Sequence, residues 1–321
     1  MSASADPPKP RGRSTACRAA LLLATACLFL WLGTALWFQL SATWNTAGSA
    51  AAALAGLTVA VLGWRRPRRG WLALVLVAAG ASLWWMSIKP SNERDWAADV
   101  AHGVTGEVVG SDVILHNVRH FAWTSEASAI PRWETRRYRL DELRSVDLFS
   151  SVWGNPAIAH TLIGFGFADG AYVVFSAEIR RERGEMFSEI GGFFKEFELV
   201  MIAADADDII RLRTDFRGEQ VSRFALKLTP EQARALFLSY LARANELAAQ
   251  PEFYQTVTTN CTTVIFQLAR LVEPGIPLDW RILLSGYLPG YLYEHAIIAT
   301  DRPLEEIKRQ AILAPGATLA R

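Results

Sequence analysis

The sequence predicts an α+β fold: three N-terminal transmembrane helices, then a domain in which an antiparallel sheet packs on helices. Three observations carry this. Residues 19–64 contain no charged side chain, and a further apolar stretch runs over 71–88. Between residues 108 and 228 the chain reads as short strands set off by turn signals, and from Thr229 onward it reads as helix. Charge divides where hydropathy does: nine Lys/Arg and one acid lie in residues 1–89, leaving 24 Lys/Arg and 31 acids for residues 90–321. Strands grouped ahead of helices argue against a doubly wound sheet.

The uncharged stretch of 46 residues is too long for one span and right for two, since a crossing takes about 20 apolar residues. A polar break at Gln39–Asn45, flanked by Trp37 and Trp44, separates them. The spans are expected at about 19–40, 45–64 and 71–88. Trp37, Trp44, Trp64, Trp71, Trp84 and Trp85 fall near span ends, as interfacial anchors do. Arg11, Arg13 and Arg18 precede the first span, and Arg65, Arg66, Arg68 and Arg69 separate the second from the third. The positive-inside rule then puts residues 1–18 in the cytoplasm. The remainder is expected beyond the inner membrane, in the periplasm of a Gram-negative cell. A cleaved signal peptide is disfavoured, because the apolar stretch continues well past any small-residue cleavage site.

After a linker at 89–103, residues 104–313 suit one domain, with a tail at 314–321. Val108–Ile114 reads as a hairpin, and Val113–Trp123 as one continuing strand. Further strands are expected at Trp133–Leu140, His160–Phe167, Ala171–Ile179, Glu198–Ala203 and Val221–Leu228. Thr229-Pro230-Glu231-Gln232 is a helix start with Thr229 as N-cap and Gln232 completing a capping box; Pro251 ends that helix. A second helix is expected from near Asn260 to about Val272, ahead of Pro274-Gly275.

Composition excludes several classes. With 51% hydrophobic and 20% charged residues the chain is not wholly disordered. The acidic larger part lacks a basic stripe, so no nucleic-acid partner is expected. Cys261 is the only cysteine after Cys27, which excludes a disulfide scaffold there. His116 and His120 share a strand face at i and i+4, but no nearby Cys or carboxylate completes a set, so neither metal nor cofactor is expected.

Cys261 stands where a helix begins, in Thr258-Thr259-Asn260-Cys261-Thr262-Thr263. Unpaired N–H groups and the positive dipole end stabilise a thiolate there. A lone cysteine also serves as a small buried hydrophobe. His160 begins an apolar strand. A three-residue loop Ala168-Asp169-Gly170, with Gly170 left-handed, closes the following hairpin. That register sets His160 opposite Glu178, Leu162 opposite Ser176, Gly164 opposite Val174 and Gly166 opposite Tyr172. The other face, with Ile163, Phe165, Val173 and Phe175, is a core face. The glycines of the His160 face would let the Cys261 helix approach it. A thiol, a base and an orienting carboxylate form a nucleophilic set, although a histidine–glutamate surface pair is an equally simple reading of His160 and Glu178. His295 is a fallback base. Arg180–Glu185 is a charge run, ordinarily a solvated turn, able to hold phosphate headgroups if it faced a bilayer.

Several segments together resemble a known family. They are Asn117-Val118-Arg119-His120-Phe121, Tyr138–Leu143, Ala159-His160-Thr161, Gly164–Gly170, Ser176–Glu182, Pro251-Glu252-Phe253-Tyr254 and Asn260-Cys261-Thr262-Thr263. The set is similar to the Lnb N-terminal periplasmic domain family, which resembles permuted papain-like (NlpC-type) thiol enzymes. The resemblance implies a papain-like domain with Cys261 as nucleophile and His160 as base; Glu178 follows from the hairpin register. Arg119, Arg180 and Asn260 lie in family motifs and are expected to contact substrate. The namesake acts in lipoprotein N-acylation. The implied activity is therefore acyl transfer from a membrane phospholipid, through a Cys261 thioester, to a lipoprotein's N-terminal amine. Here the spans precede the domain, whereas in the namesake they follow it.

Three functions compete at this stage. The first is the membrane-anchored thiol acyltransferase. The second is a periplasmic thiol peptidase or amidase acting on cell-wall peptide. The third is a non-catalytic, membrane-tethered binding module whose cysteine is buried.

Overall fold

A computed structural model of the chain describes residues 11–272 and 275–317. The expectations for residues 1–10, for Pro274 and for the tail from 318 onward lie outside the described residues. The chain divides into two compact units: residues 1–89 with Phe193–Glu196, and residues 90–192 with 197–321.

The first unit holds α1 (Arg11–Gln39), α2 (Asn45–Arg65) and α3 (Pro67–Ser87), each long and apolar enough to cross a bilayer. The helices outrun the apolar stretches because a helix need not end where the hydrocarbon does. A single residue, Arg66, joins α2 to α3, and Pro67 starts the new helix where its missing N–H costs nothing. Small residues bring the helices together. Ser49 Oγ donates to the Gly33 carbonyl at 2.9 Å, while Gly63 and Gly70 leave no room for a side chain between α2, α3 and Leu21. Phe193–Glu196 belongs to this unit: Phe194 stacks on Phe38 at 5.8 Å, and Gln39 Nε2 donates to the carbonyls of Phe194 and Lys195.

The second unit is α+β. Its strands are β1 (Thr105–Val109), β2 (Asp112–Arg119), β3 (Ala122–Ser125), β4 (Ser128–Ile130), β5 (Trp133–Arg139), β6 (Leu143–Val152), β7 (Ala159–Phe167), β8 (Tyr172–Arg180), β9 (Glu198–Ala204) and β10 (Gln220–Ala225). The main sheet runs β1-β2-β9-β8-β7-β6-β10, with β5 also paired to β2. All its pairings are antiparallel except β2 with β9, which meet in parallel at Arg119 and Ala204. The helices are α4 (Ala206–Arg211), α5 (Pro230–Ala249), α6 (Cys261–Val272), α7 (Leu288–Glu294) and α8 (Leu304–Ala311). Thr229 caps α5 with the reciprocal Gln232 bonds its sequence calls for.

Both faces of the sheet are covered. On one, Phe165, Phe175 and Ile163 pack against Phe237, Tyr240 and Leu241 of α5 and Val264 and Leu268 of α6. On the other, Phe149, Leu162, Val174 and Ile202 pack against Ile209 and Ile210 of α4.

Local departures from expectation have identifiable causes. The single strand expected over Val113–Trp123 is broken. A bulge with Asn117 at φ 61° shifts the β2/β5 register, and the Phe121 N–H leaves the ladder to donate to the Asp208 carboxylate. The same bulge ends the expected face-sharing of His116 and His120: His116 bonds Thr135, and His120 pairs with Asp205. Strand β6 was not anticipated. It is buried on both faces over Val146–Ser151, so it shows no clear alternation. The stretch expected as a linker lies against the end of β8: Asn92 Oδ1 accepts from Arg180, Trp96 bridges to Glu182, and Arg181 pairs with Asp99. Arg180, Arg181 and Glu182 thus bind neighbouring protein, while Arg183 and Gly184 form the exposed turn that the charge run suggested.

Candidate active site

Cys261 is the first residue of α6, and an N-cap holds the turn before it. Asn260 Oδ1 accepts from the Thr263 N–H, and Thr263 Oγ1 accepts from the Asn260 N–H, both at 2.8 Å. Asn260 Nδ2 donates to the Thr256 carbonyl at 2.7 Å. The N–H groups of Cys261 and Thr262 have no carbonyl to reach within the helix, so the positive end of α6 is presented at the sulfur. Thr262 Oγ1 lies 3.0 Å from Thr161 Oγ1, which ties the helix tip to β7.

The β7/β8 hairpin has the register its loop predicts. Phe167 N–H donates to the Ala171 carbonyl around Gly170 at φ 87°, and Gly166 faces Tyr172, Phe165 faces Val173, Gly164 faces Val174 and Ile163 faces Phe175. Pairing stops at Ile163/Phe175 although both strands continue. Beyond that row, β7 and β8 separate. The Phe167 N–H points toward β8, and by alternation so does that of Thr161, which has lost its strand partner. It faces the Cys261 sulfur instead and favours its ionised form.

This opening changes how the two groups meet. α6 was expected on the His160 face, admitted by Gly164 and Gly166. It packs instead on the opposite face, with Ile163 and Phe165. Tyr172, Phe149 and Ser145 fill the space over the two glycines. The sulfur comes from one face and the imidazole from the other, and they meet where the strands part.

On the imidazole side, His160 Nε2 is 2.8 Å from Ser176 Oγ and 3.1 Å from Glu178 Oε1. The same carboxylate oxygen accepts from Ser176 Oγ at 2.7 Å and from Arg213 Nη2 at 3.1 Å. With Nε2 engaged, the other ring nitrogen is left for the sulfur, and the two groups are near enough for each to shift the other's ionisation. Ser176 and Arg213 were missed at the sequence level. Ser176 was visible as the next residue on the Glu178 face. Arg213 was not, because a π-helical turn at Leu212–Phe216, after α4, brings it in from 35 residues away. Arg213 is buried and also donates to the Ile209 carbonyl.

Electrostatics follow from this packing. Burial disfavours the charged ring of His160, but Glu178 and the Cys261 sulfur outweigh it and lift its pKa to about 9. Burial likewise opposes a Cys261 thiolate. The His160 ring, the Thr161 N–H and the Thr262 hydroxyl outweigh it and bring the thiol down to about 7. Glu178, also buried, is held well below the usual carboxylate range by His160, Arg213 and Ser176. Between pH about 7 and about 9 the pair is therefore biased toward thiolate and imidazolium, titrating together.

The three residues expected to contact substrate have other work. Arg119 is buried, with Nε and Nη2 on the Asp208 carboxylate and Nη1 on the Asp99 carbonyl. Arg180 is buried too, donating to the carbonyls of Val100 and Ala101 and to Asn92. Asn260 is the cap of α6. Each thus holds a backbone turn or an ion pair in place. His295 is exposed and packs on Tyr291. Among the described residues no group of three His, Cys, Asp or Glu gathers in a metal-holding cluster.

The model of the Lnb N-terminal periplasmic domain family matches residues 129–286, a span that contains Cys261, His160, Glu178 and Arg213. Neither a curated protein nor a solved structure matches the chain. The family match agrees with the motifs read from the sequence, and the three helices supply a membrane anchor. This chain is thus a membrane-anchored protein whose second unit carries a domain of the Lnb N-terminal periplasmic family.

Proposed function

We propose that the protein is a membrane-anchored thiol acyltransferase. In this reading the domain stands on the periplasmic side of the inner membrane, opposite the Arg65–Arg69 loop. The observation that supports it is the placement of Cys261, at a helix N-terminus, beside the His160 ring that Glu178 holds.

The sulfur attacks an ester carbonyl carbon of a membrane phospholipid. Charge developing on the carbonyl oxygen is met by the unpaired N–H of Cys261. As the carbon–oxygen bond breaks, the imidazolium gives its proton to the departing lysolipid alkoxide, leaving a thioester. An incoming amine, in our reading the N-terminal amine of a lipoprotein, then attacks the thioester. The carbon–sulfur bond breaks, the sulfur leaves as thiolate, and His160 takes the amine proton. The thioester divides one acyl transfer into two easier steps. Glu178 orients the ring and stabilises its charged form, while Arg213 and Ser176 keep Glu178 ionised and in place.

The test is labelling of the full chain by a lipid-like electrophile, compared with Cys261→Ala and His160→Ala. The expected result is labelling lost in Cys261→Ala and strongly slowed in His160→Ala. Equal labelling of all three would defeat the proposal. Release of the acyl group to water or from cell-wall peptide, with no transfer to a lipoprotein amine, would instead mark a hydrolase.

A further inference from the structure

The loop between β8 and β9 bears a cluster of apolar side chains that the protein leaves uncovered. Met186 is 83% exposed, Phe187 51%, Ile190 58% and Phe193 49%. Single exposed apolar residues are ordinary; four large ones within eight positions are not. The backbone beneath them is pinned. Ser188 Oγ accepts from the Gly191 N–H at 3.0 Å, and the Glu189 carbonyl accepts from Thr256 Oγ1 at 2.8 Å. The loop therefore presents these side chains outward rather than having failed to bury them.

Two features say what covers this loop. Its continuation, Phe193–Glu196, belongs to the unit of the three bilayer-crossing helices, with Phe194 stacked on Phe38 and Gln39 bonded to two of its carbonyls. Phe38 and Gln39 end α1 among Trp37, Trp84 and Trp85, where an aromatic belt marks the membrane interface. Chain length then limits the distance: Ile190 stays within about 11 Å of Phe193 and Met186 within about 25 Å, however the two units are oriented. The second feature is Thr256, which bonds the loop through its hydroxyl and Asn260 through its carbonyl. The apolar tip is thereby coupled to the residue that sets Cys261 in place.

We propose that Met186, Phe187 and Ile190 insert into the interfacial layer of the phospholipid bilayer, seating the Cys261 site at the lipid surface. The insertion stands apart from the catalytic reading; its effect on the site rests on that reading.

The experiment uses the full chain in phosphatidylethanolamine–phosphatidylglycerol vesicles, with Cys17, Cys27 and Cys261 replaced by serine. A nitroxide label is placed at Phe187→Cys, with Glu126→Cys in the exposed β3/β4 turn as the reference. The expected result is a label at position 187 that meets dissolved oxygen severalfold more readily, relative to a water-soluble nickel chelate, than the label at 126. Equal ratios would overturn the proposal. So would a label at 187 shielded from both agents, which would mean a protein partner covers the loop. Because this readout lacks Cys261, it stands or falls without catalysis. In the chain with native cysteines, the triple variant Met186→Ser, Phe187→Ser, Ile190→Ser should slow Cys261 labelling by a vesicle-borne electrophile about tenfold or more, the scale set by losing one buried apolar side chain. Soluble iodoacetamide should react unchanged. Equal slowing of both reagents, or of neither, would overturn the coupling of loop to site.

Discussion

His160 Nε2 lies 3.1 Å from Glu178 Oε1 across two strands that have ceased to pair. The separation frees the Thr161 N–H and admits the Cys261 sulfur, so one break in a β-ladder supplies both a donor and a doorway. A hairpin paired to its end would have buried that N–H in the ladder and kept the two groups on opposite sides of the sheet.

Glu178→Gln keeps the shape of the side chain and removes its charge. Glu178 is the leading influence raising His160, so the ring should lose its proton at lower pH and support less thiolate. The apparent pKa of Cys261, read from iodoacetamide alkylation against pH, is expected to rise from about 7 toward its ordinary value. An unchanged profile would show that the carboxylate does not act through the ring.

The ion pair has a pH window with a definite sign. The Cys261 pKa is depressed, so its contribution is present at high pH and lost as pH falls through about 7. That of His160 is raised, so its contribution is present at low pH and lost as pH rises through about 9. Both hold only between the two values. Cys261 reactivity toward a lipid-like electrophile, whose leaving group needs a proton, should be bell-shaped with limbs near about 7 and about 9. A single rising limb would mean that the imidazolium is not required.

Arg213 is 5% exposed and its ion-pair partner Glu178 is 18% exposed. Replacing it with Met leaves Glu178 with His160 as its remaining cationic partner, a loss short of the roughly 3–5 kcal/mol that follows when a buried charge is left wholly unpaired. The expected outcome is a marked fall in Tm with partial recovery in Arg213→Lys, together with a shifted alkylation profile. A loss of Tm with no shift in that profile would make Arg213 purely structural.

Asn260→Ala should cost about 1 kcal/mol through loss of the cap and raise the Cys261 pKa as the helix tip frays. Asn260→Ser, which retains a capping oxygen, should restore both in thermal melts and alkylation. If Ser fails where only Asn suffices, the Asn260 side chain has a role beyond capping.

Arg119→Met breaks a buried bidentate pair with Asp208, whose carboxylate also accepts from the Phe121 N–H and Trp123 Nε1. A destabilisation on the order of 3–5 kcal/mol is expected, with the pH profile of surviving protein unchanged. A change in substrate affinity without loss of stability would return Arg119 to the ligand-contacting role that its motif suggested.

What the amino-acid sequence determined by itself was whatever neighbouring residues settle among themselves. The spans follow from uncharged length, the Thr229 capping box from four consecutive residues, and the β7/β8 register from the handedness that Gly170 permits. Cys261 at a helix start is legible in the same way, and so is the place of Glu178 opposite His160. Tertiary structure alone decided the rest. β6 hid in the sequence because burial on both faces erases alternation. Arg213 arrives on a turn of π-helix from outside any local pattern. Arg119, Arg180 and Asn260 sit in recognisable motifs, yet only packing shows which backbone turns and carboxylates they hold. The face on which α6 docks was likewise undetermined by the glycines of β7, since Tyr172 competes for the space they leave, and long-range packing chooses which of the two fills it.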